Sequence, residues 1–125
     1  MKKEYNSTSP DVHHLFYVED EWNKEGGRTF RDYCYFKVVV ERGLHVDIHA
    51  KVKGVPIPTA GSRRYIMEQM EYMYLFRFIS DEDSIETRLV LLISLFEEIE
   101  EQSTAAALRR QLEAVEKYYK KKGPS

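Results

Sequence analysis

Apolar positions along this chain recur with two different periods, and the change from one to the other divides it. Residues 12–18, VHHLFYV, are β-branched and aromatic over a strand's length. The polar stretch EDEWNKEGG, which carries Trp22, separates them from a second such run, TFRDYCYFKVVVE. A third run, LHVDIHAKVK at 44–53, alternates: Leu44, Val46, Ile48, Ala50 and Val52 fall on one side and polar residues on the other. Alternation predicts a β-hairpin over 29–53. Closing it with Arg42, Gly43 and Leu44 opposes Val40 with Val46, Val38 with Ile48, Phe36 with Ala50 and Cys34 with Val52, which leaves one face wholly apolar. A two-residue loop would mix apolar and polar side chains on both faces.

The prolines and glycines of GVPIPTAG end that strand, since they withhold ladder donors and favour turns. From Ser62 the positions Ile66, Met70 and Met73 have helical spacing, whereas Tyr72, Tyr74, Phe76 and Phe78 alternate. A short helix passing into a strand near Tyr72 is expected. Ser80, with Asp83 three residues on, reads as the cap of a further helix whose stripe is Ile85, Leu89, Leu92, Phe96 and Ile99. A later stripe, Leu108, Leu112, Val115 and Tyr119, starts nine residues after Ile99, about half a turn out of phase. That offset predicts a break near Gln102, with Ser103 or Thr104 capping the last helix.

The resulting expectation is an α+β fold: an antiparallel sheet of three to five strands (residues 12–79) covered on one face by helices, with a C-terminal helical hairpin over 80–122. Residues 1–11 are polar and read as a loose arm before a single domain spanning 12–125. Charge supports the hairpin: residues 80–102 hold eight acids and one arginine, and residues 103–125 hold six bases and two acids. An antiparallel arrangement sets Arg109 and Arg110 beside Glu97 and Glu98, and Lys120, Lys121 and Lys122 near Asp81, Glu82 and Asp83.

Composition narrows the function classes. With 125 residues, 32% of them charged, and a net charge of −2, the chain has no global field that would recruit nucleic acid or an anionic membrane. The single cysteine, Cys34, excludes an internal disulfide or a multi-thiolate zinc site, and its place in an apolar run predicts a packed thiol. With no apolar run after the N-terminal lysines and none long enough to span a bilayer, a cytoplasmic protein is expected. No cofactor is called for.

Three constellations carry candidate chemistry. His45, Asp47 and His49 suggest a metal triad, but on a strand the two histidine Cβ atoms stand about 13 Å apart, too far for one ion. The hairpin register instead sets Glu41 across from His45 with Asp47 close by, so Glu41, His45 and Asp47 form the metal candidate, against the ordinary reading of a wet strand face. Ser62, Arg63 and Arg64 would stand at a helix N-terminus, where unpaired N–H groups and two cations suit the phosphate of a small molecule or nucleotide. Tyr33, Tyr35, Lys37, Lys51 and Lys53 on the open sheet face have the ingredients of a nucleic-acid platform, though Glu41 and Asp47 interrupt it and nucleic acid is the weaker expectation. No serine or cysteine is placed for nucleophilic catalysis. The methionines 67, 70 and 73 read as core filling or as the lining of a small apolar site.

LVLLISLF, residues 89–96, is more apolar all round than one sheet face needs, which points to a homodimer through the helical hairpin. The leading functional expectation is therefore a small non-catalytic binding or adaptor protein with a protein partner. The alternatives are a binder of a phosphorylated small molecule and a metal-dependent enzyme.

Overall fold

A computed structural model describes residues 6–17 and 30–123. Strand β1, Pro10–His14, pairs antiparallel with β2, Lys37–Glu41, so that Asp11 faces Val40, Val12 faces Val39 and His13 faces Val38. Four helices follow: α1 (Arg42–Lys51), α2 (Ala60–Leu75), α3 (Ile85–Glu98) and α4 (Gln102–Lys122). The α+β class is present, but among the described residues the sheet has two strands and not three to five. The loop with Trp22 lies outside the described residues.

The largest departure is at 44–53, where the expected second hairpin strand is helix α1. An alternating apolar series contains an i, i+4 series within it, and that subset is what is buried: Leu44, Ile48 and Val52 are enclosed, while Val46 is 52% exposed and Ala50 faces solvent. Leu44 and Ile48 pack toward α4 and the sheet. The partner of β2 is consequently β1, brought from earlier in the chain.

Ordered backbone before β1 fixes the start of α1. Arg42 N–H donates to the Ser9 carbonyl and Gly43 N–H to the Ser7 carbonyl, each at 2.8 Å. A Cβ on Gly43 would meet Tyr118 Oη at 3.1 Å and Ser7 Cβ at 3.2 Å, so this glycine is required by close approach and not by an unusual dihedral. Gly43→Val is expected to cost about 1–3 kcal/mol by overpacking; an unchanged urea midpoint would show that the 6–9 segment yields freely.

The expected helix-to-strand passage near Tyr72 is also absent, because α2 continues to Leu75. Tyr72 and Phe76 stack four residues apart with ring planes 7° from parallel, so the aromatic alternation lies over a helix end. Both α2 and α3 stop in the same six-residue turn. Phe78 N–H donates to Met73 O and Glu101 N–H to Phe96 O, with Arg77 (φ 62°) and Glu100 (φ 63°) left-handed where glycine is usual.

Ser80 and Asp83 do bond reciprocally, Ser80 N–H to Asp83 Oδ2 and Asp83 N–H to Ser80 O, yet they close a turn before the helix. The cap of α3 is Ser84, whose Oγ accepts from Thr87 N–H. The cap position of α4 is Glu101, without a side-chain bond, not Ser103 or Thr104. Arg109 pairs with Glu97, but Lys122 bridges to Glu41 at 2.8 Å and not to the 81–83 acids.

The core is one cluster. Phe16 lies at its centre with ring centroids 4.9 Å from Phe30, 4.9 Å from Phe36 and 5.7 Å from Phe96. Helix α3 buries Leu89, Leu92, Ile93, Leu95 and Phe96 inside this chain, so most of the apolar surplus of 89–96 is absorbed without a second copy. Cys34, expected to be packed, is exposed with its sulfur 3.6 Å from Tyr74 Oη. Among the described residues no helix is long and apolar enough to cross a membrane.

Candidate metal centre

Strand β1 turns alternate residues to opposite faces: Val12 points outward, while Asp11 and His13 share the side that α1 covers. Helix α1 places His45 and His49 one turn apart on one face, which corrects the 13 Å separation expected for a strand. His13, His45 and His49 thereby converge, each offering a nitrogen within 4.8 Å of the others. Their ring centroids are 5.2 Å (13 to 45), 5.6 Å (13 to 49) and 4.7 Å (45 to 49) apart.

Hydrogen bonds decide which nitrogens carry lone pairs. Gln111 on α4 donates its Nε2–H to the Leu15 carbonyl at 2.7 Å, so its Oε1 must accept, and the partner is His13 Nε2 at 2.8 Å. His13 is therefore the Nε2–H tautomer. Its Nδ1 is buried, bears a lone pair and has no hydrogen-bond partner among the described residues. Burial pulls the His13 pKa down to about 3, so the ring is neutral at physiological pH and able to ligate.

The other two rings are held in a similar way. Asp11 Oδ2 accepts from His45 Nδ1–H at 3.1 Å, which leaves His45 Nε2 as the lone-pair nitrogen; this is the carboxylate-to-imidazole support common behind metal-bound histidines. The bond from His45, reinforced by Arg42 3.3 Å away, holds the Asp11 carboxyl below the ordinary range against the opposing effect of desolvation. His49 Nε2 lies 3.1 Å from His45 Nε2, close to the roughly 3.3 Å between two nitrogens on one tetrahedral ion. With His45 Nε2 as acceptor, His49 Nε2–H donates across that gap; to ligate through Nε2, the exposed His49 ring would carry its proton on Nδ1 instead. Burial, followed by the His45 charge, lowers the His49 pKa as well.

The residues singled out from the sequence are dispersed. Of Glu41, His45 and Asp47 only His45 is in the cluster: Glu41 accepts from Tyr118 Oη–H and Lys122 Nζ–H at 2.7 and 2.8 Å, and Asp47 lines a groove with Tyr118 and Lys121. A helix puts Asp47, two residues on, away from the His45 face. Helix α2 starts at Ala60, before Ser62; Thr59 caps it by accepting from Ser62 N–H, and the Arg63 guanidinium donates back to the Pro58 carbonyl, while Arg64 is exposed. Tyr33, Tyr35, Lys37, Lys51 and Lys53 share no sheet face. Tyr35 is buried with its hydroxyl on Asp83, Tyr33 packs on Phe36, Lys37 opens β2, Lys51 ends α1 near Glu113 and Lys53 follows it.

His13 and Gln111 are what the sequence reading missed. The signal available was the spacing H-x-x-x-H at 45–49, which puts two imidazoles on one helical face, together with a histidine in an apolar run at 13.

The chain matches no known protein family, and no curated protein or solved structure resembles it at a significant level. Function has to be argued from the site, because a fold alone does not specify it.

Proposed function

We propose that this is a metal-ion-binding protein whose site is His13 Nδ1, His45 Nε2 and His49 Nε2, with zinc or a neighbouring late first-row ion as ligand. The observation that carries this reading is the convergence of one nitrogen each from His13, His45 and His49 to within 4.8 Å, together with a buried His13 Nδ1 that has no hydrogen-bond partner among the described residues. A buried acceptor without a partner costs about 1–3 kcal/mol, and an ion would offset that cost. Three neutral imidazoles suit zinc, copper and nickel better than magnesium or calcium, which take oxygen. Asp11, the acid touching the cluster, is engaged by His45 and Arg42, which favours binding over metal-assisted hydrolysis. The ion would tie β1 to α1, adding to the bonds that Asp11 already makes to His45 and Arg42. A cytosolic location belongs to the same proposal and rests on the lone free thiol.

Zinc titration tests it. Binding of one ion per chain is expected, and zinc at a hundredfold excess over its dissociation constant should stabilise the fold by about 2.7 kcal/mol. His49→Gln, at an exposed ring, should weaken binding at least tenfold while leaving the metal-free fold intact; Glu41→Gln and Asp47→Asn should not weaken it. Absence of saturable binding at micromolar zinc would remove the proposal.

A further inference from the structure

Away from the histidines, the turn after α2 presents its aromatic side chains to solvent. Leu75 is 72% exposed and Phe78 77%, with Tyr72 and Phe76 stacked beside them. Position 77 is left-handed and occupied by arginine, so the turn that holds Phe76 and Phe78 outward does so without the glycine that would ease it. Phe78 also borders a groove of about 660 Å³ between this turn, α3 and α4. Met73, Ile79, Leu91 and Leu112 supply its apolar lining, and Val90 stands 55% exposed at its edge. Among the described residues the charged ones that line it are Asp83, Glu86 and Glu116, with no lysine or arginine.

An open apolar trough bordered by acids of one sign selects its occupant by both properties. We infer that this groove binds a basic amphipathic helix of another protein, whose apolar stripe meets Leu91, Leu112 and Val90 while flanking lysines or arginines meet Glu86 and Glu116. Helix-in-groove recognition uses anchors at i, i+3, i+4 and i+7, and the groove runs along one turn after another of α3: Glu86, Thr87, Val90, Leu91 and Ser94. Electrostatic complementarity sets the choice of partner and the rate of encounter, whereas burial of the apolar stripe supplies affinity. This inference is independent of the metal site.

A model peptide of leucine and lysine with helical spacing, and its counterpart with glutamate in place of lysine, are the probes. The lysine peptide should bind saturably by fluorescence anisotropy, weaken as sodium chloride is raised, and shift amide resonances of Val90, Leu91 and Leu112. Glu86→Lys combined with Glu116→Lys, both exposed, should reduce its affinity at least tenfold, and Val90→Asp should do the same without unfolding the chain. Equal binding of the glutamate peptide, shifts confined to another surface, or indifference to these substitutions would overturn the inference. So would light scattering that finds a dimer dissolved by Val90→Asp, because the occupant would then be a second copy.

Discussion

Arg88→Ala is expected to lower the unfolding free energy by about 3–5 kcal/mol, although the residue touches neither the histidines nor the groove of α3. Its guanidinium, 4% exposed, is surrounded by backbone carbonyls: Nε–H donates to Asp83, Nη2 to Asp81, and Nη1 to Tyr35 and Lys37, with Cys34 at 3.4 Å. It also sits 4.9 Å from the centre of the Tyr35 ring. One side chain thereby joins the entry to β2 to the loop that precedes α3. Alanine leaves at least four acceptors without donors at once. Water entering from the groove lined by Cys34, Lys37 and Asp81 would recover part of the loss, which sets the range below the sum of four orphaned groups. Arg88→Lys should lose roughly half as much, because a single ammonium with three donors cannot reach both segments. Urea denaturation measures both, and a loss under about 1 kcal/mol for alanine would mean that the carbonyls are solvated already.

Nothing in the sequence marks Arg88 for this role, since its partners are backbone atoms, those of Tyr35 and Lys37 more than fifty residues away. The helix ends were hidden for a related reason. Gly would have announced the left-handed positions after α2 and α3, but Arg77 and Glu100 occupy them, so the extent of α2 could not be read from composition. The half-turn offset between Ile99 and Leu108 carried the information that composition lacked, and the chain does turn at Glu100. Core positions were legible where a stripe had one period only. Ile66 and Met70, Leu89, Leu92 and Phe96, and Leu108 and Val115 are all buried.

At 44–53 the pattern fitted both periods, and local propensity favoured the wrong one. Val46, Ile48 and Val52 are β-branched, and the preceding VVVE run is a true strand, so a hairpin was the economical reading. What decided the outcome is non-local: Leu44 and Ile48 join the core that α4 closes, and β2 takes β1 as its pairing partner. The candidate site inherited that error. Two histidines held too far apart by a strand are brought to 3.1 Å by a helix, and the third imidazole comes from a segment whose proximity only the β1–β2 pairing reveals.

Gln111 offers a test in which stability and metal binding separate. It is fully buried and satisfies two groups at once, accepting from His13 Nε2–H and donating to the Leu15 carbonyl. Gln111→Leu removes both bonds and is expected to cost about 2–4 kcal/mol, the penalty of two buried polar groups left unpaired. It also frees His13 to rotate or to change tautomer, so zinc affinity of the folded variant should fall about 10- to 100-fold, the usual effect of losing an outer hydrogen bond to a metal-bound imidazole. Gln111→Glu should part these effects. Its carboxylate still accepts from His13 Nε2–H and keeps Nδ1 as the ligand nitrogen, but it has no N–H for Leu15. Stability should therefore fall while zinc affinity is retained. If both variants lose affinity equally, or neither does, Gln111 fills space beside His13 and does not orient it; the ligand set would then have to be sought without His13 Nδ1.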